Sequence, residues 1–201
     1  MRAIQELWYF SRLTTVWPLC CLWICHSMPL QAQNQPIPDG VYMIQVLSTH
    51  KYLAIEQISQ ANGARLVQWD YANQDNHKFV ITKNRDGATY TIRAKHSGKV
   101  LDVLGASTAN SAPLVQWDSN PSAESQQWYI LQYGHDYYLM GKASQKRIRL
   151  QGGLQQAQNG VLLELSTNYP EQALSFEKFN DSAFENQSPK PSFKTKNNKI
   201  N

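Results

Sequence analysis

Beyond residue 25 the sequence has no cysteine; its three, Cys20, Cys21 and Cys25, all fall in the first 25 residues. Whatever folds after them must hold itself together by burial, without disulfides or thiol chemistry. A strong charge bias is also missing where it would matter. Of the 19 basic and 15 acidic residues, 39–180 carry 13 and 12, 1–38 carry two and one, and 181–201 carry four and two. A near-neutral central region has no long-range field to gather phosphates, which argues against nucleic acid as a partner. Long apolar runs are absent too. The best of them, residues 16–25, is far short of the roughly 20 residues that cross a bilayer, so no membrane span is expected.

Signatures of chemistry are equally scarce. His50, His77, His96 and His135 follow no metal-ligand spacing and have no accompanying His-Glu-x-x-His or cysteine pair. They read as exposed loop or turn histidines. No Ser, Cys or Lys stands in a recognisable nucleophile motif. Neither a metal, a cofactor nor a catalytic residue is predicted.

What remains is one globular domain with trimmings, given 42% hydrophobic, 17% charged and 11% aromatic residues. The first 32 residues have the layout of a secretory signal: basic Arg2 and Arg12, the apolar run, then a polar stretch ending near Ala32. Export to the periplasm or the extracellular space is the expectation. Residues 181–201, rich in Lys, Asn, Ser and Pro, are too poor in apolar side chains to pack, and read as a disordered basic tail.

Between these ends the chain resembles itself. Tyr42, Tyr90 and Tyr138 recur every 48 residues, each followed two positions later by Ile44, Ile92 or Met140. Val67-Gln68-Trp69-Asp70 returns as Val115-Gln116-Trp117-Asp118, and Phe79, Trp128 and Phe176 follow at spacings of 49 and 48. These last three are expected to be core rings that close each unit. A fixed period of this length dictates architecture. Apolar and polar residues alternate over short runs, as in Tyr90-Thr91-Ile92-Arg93 and Leu101-Asp102-Val103. Such runs, parted by Gly, Asn, Ser and Pro clusters, read as about four strands per unit with no room for a ten-residue helix. Three such units, none able to bury its apolar face alone, predict an all-β closed assembly around one core: a β-trefoil.

The triplet Gln126-Gln127-Trp128 is similar to the Gln-x-Trp signature of ricin-type lectins. As in that family, Leu101-Asp102-Val103 and Val115-Gln116-Trp117 precede it, and the resemblance covers about residues 39–180. It implies a shallow sugar pocket in each unit, with an Asp after the first apolar residue of the second strand and an aromatic about 15 residues later. A carboxylate accepts hydrogen bonds from two neighbouring hydroxyls, and an aromatic face covers the sugar's C–H patch.

On that resemblance the middle unit keeps Asp102, Trp117 and Gln126, with Ser125 where the family usually has Asn. The first unit keeps Trp69 and Asn76 but has Ala54 for the acid and His77 for the signature glutamine. The third places Arg149 at the acid and Leu165 at the aromatic, and is expected to be scaffold. Trp117 stays open between ligand platform and packing residue, and Gln126 between ligand contact and buried strut. Asp70 and Asp118 read as strand-end residues bonding nearby backbone amides.

The expectation is a secreted module that is not an enzyme and that binds a galactose-like or related glycan through one pocket. A different class competes: a protein-interaction or inhibitory β-trefoil with vestigial sugar sites. A third possibility is a domain that targets a catalytic partner encoded elsewhere.

Overall fold

The computed structural model describes residues 37–168 and 171–180. The expected signal at 1–32 and basic tail at 181–201 lie outside the described residues.

Among the described residues twelve strands follow one another, and the helical segments between them are four 3-10 turns of three residues each. The first unit has β1 (Gly40–Val46), β2 (Lys51–Ile55), β3 (Leu66–Trp69) and β4 (Lys78–Lys83). The second has β5 (Tyr90–Ala94), β6 (Val100–Val103), β7 (Leu114–Trp117) and β8 (Trp128–Tyr133), and the third β9 (Asp136–Gly141), β10 (Arg147–Leu150), β11 (Leu163–Ser166) and β12 (Leu174–Phe179). First and fourth strands pair antiparallel in the cycle β1-β4-β5-β8-β9-β12 and back to β1, closing a six-stranded barrel. Closure leaves these six strands without a free edge. The second and third strands of each unit form hairpins, β2-β3, β6-β7 and β10-β11. Bridges from Arg65 to Val115, Val67 to Leu162 and Pro113 to Glu164 join the hairpins into a three-fold cap. The architecture is the predicted β-trefoil.

The barrel core is built from residues that alternate inward along each strand, the period of a one-sided sheet. Phe79 and Trp128 sit fully buried in it, paired across the ladder with Tyr42 and Tyr90. Trp128 donates its indole N–H to the Leu101 carbonyl at 3.1 Å, so its one polar atom is satisfied. Truncating such a ring to Ala costs about 3–5 kcal/mol.

The third unit departs from the sequence expectation by a shift in register. Its counterpart of the Tyr42–Phe79 and Tyr90–Trp128 pairs is Tyr137–Leu174, not Tyr138 and Phe176. Leu139, not Met140, then faces the core beside fully buried Leu174. Phe176 lies two residues further along the same face, partly buried, its ring edge-on to Tyr42 and Tyr137. Adjacent strand residues point to opposite faces, so a one-residue slip in reading exchanges inside for outside.

The cap explains the repeated Val-Gln-Trp-Asp strand. Gln116, fully buried, donates from Nε2 to the carbonyls of Ser59 and Ala61 and accepts from Ser97 Oγ at 2.7 Å. Gln68 does the same with the carbonyls of Gln156 and Gln158 and the Thr49 hydroxyl. Each glutamine thereby pins a loop of the neighbouring unit.

Candidate functional site

Ladder register defines equivalent positions in the three hairpins. Ala54 faces Val67 in the first, Asp102 faces Val115 in the second, and Arg149 faces Glu164 in the third. Two residues beyond Val67, Val115 and Glu164, on the same face, come Trp69, Trp117 and Ser166. The third unit's counterpart of the tryptophan is therefore Ser166 and not Leu165, which corresponds instead to Gln68 and Gln116. The connection from β10 to β11 is two residues longer than its counterparts, so a constant 48-residue step falls one short.

In the middle unit the strands bring Asp102 and Gln126 together. Asp102 is 8% exposed. Its Oδ2 accepts from Gln126 Nε2 at 2.9 Å and its Oδ1 from the Val103 amide at 2.7 Å. Gln126 also donates to the Asp118 carbonyl at 2.9 Å, and its Oε1 accepts the Asn120 amide at 2.7 Å. It is a buried strut that ties the acid to the loop after β7. A carboxylate offers about four acceptor positions, so two remain beyond those already filled. Trp117 rises from the facing strand and is 40% exposed. Part of the indole rests on the neighbouring unit: a side chain built at Gly63 would lie 3.6 Å from Trp117 Cζ3. Gly63 has φ +84, a conformation that favours glycine. An exposed, backed ring beside a partly free carboxylate is the arrangement a sugar ring requires.

The first unit encloses a cavity of about 320 Å³ lined by Ala54, Ile58, Val67, Trp69, Asn76 and His77 among others. The acid is missing, so the cavity is mostly apolar. Asn76 donates to the Ile55 carbonyl at 2.9 Å, leaving its Oδ1 unpartnered. His77 is not the exposed turn histidine expected from sequence: it is 2% exposed, with Nδ1 unpartnered and the Tyr71 ring edge-on at 5.9 Å. Burial, and secondarily the Lys78 charge, pushes its imidazole below the ordinary 6.5.

In the third unit an ion pair occupies the equivalent position. Arg149 Nε lies 3.3 Å from buried Glu164 as an ion pair without hydrogen-bond geometry, so a cation fills the space of the acid. Sequence reasoning missed Gln172, the residue two before Leu174. It is 1% exposed and donates to Ser48 Oγ, and the signal for it was a Gln-x-Leu variant of the closing triplet.

Asp70 and Asp118 also differ from expectation. Their carboxylates bond side chains rather than backbone amides: Lys51 and Asn159 for Asp70, Lys99 and Asn62 for Asp118. The lysine hydrogen bond first, and the asparagine second, hold both acids below the usual carboxylate range. They clasp adjacent units at the strand ends. Among the described residues no cluster of three or more His, Cys, Asp or Glu could hold a metal, and no helix is long and apolar enough to cross a membrane.

The fold has counterparts elsewhere. The family model of ricin-type beta-trefoil lectin domain-like proteins matches residues 30–117 and 90–165; the chain belongs to this family. Among solved structures, a designed three-fold symmetric protein, ThreeFoil, is 26% identical with a TM-score of 0.66, over 70% of this chain and 100% of that one. An exo-beta-1,3-galactanase from Clostridium thermocellum shares the fold at 22% identity and a TM-score of 0.65, over 72% of this chain and 31% of the enzyme. The Macrolepiota procera ricin B-like lectin, solved in complex with lactose, does so at 16% identity and 0.60, over 72% and 99%. No curated protein sequence matches the chain.

Proposed function

We propose that this protein is an exported carbohydrate-binding module that holds a galactose-like or related glycan in the middle unit. The observation that carries the reading is the Asp102–Gln126 hydrogen bond beside the exposed face of Trp117. Asp102 would accept from two adjacent sugar hydroxyls, Gln126 would fix its orientation, and Trp117 would cover the sugar's apolar face. The first unit lacks the acceptor and the third has a cation in its place, so one sugar site per chain is the reading. No catalytic step belongs to it, since glycoside hydrolysis uses two carboxylates flanking one bond and the reading gives Asp102 no such partner. A single shallow pocket binds a free monosaccharide at about millimolar strength, near −4 kcal/mol, so useful binding draws on a longer glycan or on clustering.

A glycan array probed with the protein, with Asp102→Ala and with Trp117→Ala tests this. The expected result is one defined glycan class bound by the parent and lost in both variants while their circular dichroism stays native. Retention of binding in both variants would remove the middle pocket from the function. A protein-interaction role would then lead, supported by the exposed apolar Ile58 and Trp69, 45% and 44% exposed, at the first cavity.

A further inference from the structure

Gln126, which holds Asp102, also lines a second and larger cleft of about 650 Å³. Its walls are the turn between β4 and β5, the loop after β7, and Lys142 just beyond β9. The cleft is rich in cations: Lys83, Arg85, Arg93 and Lys142 line it, against one lining acid, Asp86.

These charges differ in how far they are already answered. Lys142 has its own carboxylates, Glu124 at 3.4 Å and Asp86 at 3.9 Å, besides a hydrogen bond to Gln127. The Asp86 oxygens are turned to their own loop, accepting from the Ala88 and Thr89 amides and the Thr89 hydroxyl. Asp39 meets Lys83 at its backbone amide, at 2.8 Å, rather than at its ammonium. Among the described residues Arg93 donates to neutral oxygens, the Gly98 carbonyl and Ser119 Oγ. Lys83 and Arg85 are exposed and make no ion pair among the described residues. Three cationic groups, Lys83, Arg85 and Arg93, therefore remain uncompensated in a concave site of the size that encloses a small ligand. The rest of the strand region is nearly neutral, so this is a local field and not part of a general basic surface.

We propose that this cleft is a subsite for an acidic group, a carboxylate or a sulfate ester, on a glycan unit attached to the sugar held at Asp102 and Trp117. The proposal rests on the middle-pocket reading and deepens it. Gln126 is the shared wall, bonded to Asp102 and lining the cleft, and Asn120, whose amide it accepts, lines the cleft as well. Guanidinium and ammonium groups bond carboxylate and sulfate oxygens more strongly than neutral hydroxyls. Partial exposure makes the gain modest and dependent on salt.

The test is calorimetric titration of the full protein with three oligosaccharides that share one neutral core. One ends in a neutral hexose, one in a uronate, and one in a sulfated hexose. The expected result is about five- to tenfold tighter binding of an acidic form, shrinking as salt rises. A Lys83→Ala/Arg85→Ala double variant, altering two exposed side chains outside the middle pocket, should lose that preference and keep the parent's affinity for the neutral form. The uronate and sulfate arms tell which acid is preferred. Equal affinity for all three, or a preference that survives the double variant, overturns the subsite while leaving the middle pocket standing. If none of the three binds, the middle-pocket reading falls and takes the subsite with it.

Discussion

Gln126 Nε2 donates to Asp102 Oδ2 at 2.9 Å, while the same glutamine's Oε1 accepts the Asn120 amide at 2.7 Å. One buried side chain thus couples the pocket acid to the loop that walls the neighbouring cleft. The openness of the sequence reading, strut or ligand contact, resolves in geometry to a strut, with Nε2 taken up by Asp102 and by the Asp118 carbonyl.

Replacing Gln126 with Ala therefore leaves the Asn120 amide and one Asp102 oxygen without partners. The expected loss is about 1–3 kcal/mol of folding stability, read as a lower denaturant midpoint with an unchanged slope. Glycan affinity should fall as well, because the acid is no longer held. An unchanged midpoint would show that Gln126 is not the strut the geometry makes it.

The first unit should be repairable. It retains Trp69 against Gly160, where a built side chain would lie 3.4 Å from Trp69 Cζ3, and it lacks only the acid and the glutamine. An Ala54→Asp/His77→Gln double variant rebuilds the pairing found at Asp102 and Gln126. If the proposed glycan site in the middle unit holds, calorimetry with its glycan should show the stoichiometry rising from one site per chain to two. Ala54→Asp alone should be destabilising, since it buries a carboxylate without its donor. A stoichiometry still at one in a folded double variant would mean that loop shape, and not these two residues, disabled the pocket.

His77 predicts a pH effect whose sign follows from its burial. Its imidazole in the folded protein titrates below the ordinary 6.5, so the unfolded chain takes up a proton first as the solution is acidified. The stability that the neutral ring contributes is complete above about pH 6.5 and is lost as pH falls toward the folded value. Urea midpoints measured from about pH 7.5 to about pH 5 should fall more in the parent than in His77→Gln. Parallel profiles for the two proteins would mean that the ring is not buried neutral.

Much of this molecule is legible in its sequence, and the places where the fold departs from it share one physical cause. Asp102 and Trp117 stand one 48-residue step after Ala54 and Trp69 in hairpins of the same register, and the structure brings them and Gln126 to one hairpin and its adjoining loop. In the third unit the turn before β9 is two residues long against six before β5, and the connection after β10 is two residues longer than its counterparts. Reading by a fixed step then landed on Leu165 instead of Ser166. The aromatic spacing of the other units points to Tyr138 and Phe176, whereas the barrel uses Tyr137 and Leu174. Aromatic identity is a weaker guide than strand phase, since a position one residue off points out of the core.

The sequence by itself determined the architecture. Three runs of short alternating strands, each with an apolar face it cannot cover alone, have to close on one another. Tertiary structure alone decided which polar side chains are structural and which remain available. Gln68, Gln116, Asp70 and Asp118 are consumed in clasping neighbouring units, and Asp102 keeps part of its acceptor capacity. The gathering of Lys83, Arg85, Arg93 and Lys142 around one cleft was equally invisible in the chain's near-neutral charge total. Hydrogen-bond satisfaction and charge pairing depend on partners far apart in sequence, and no local pattern records which of them meet.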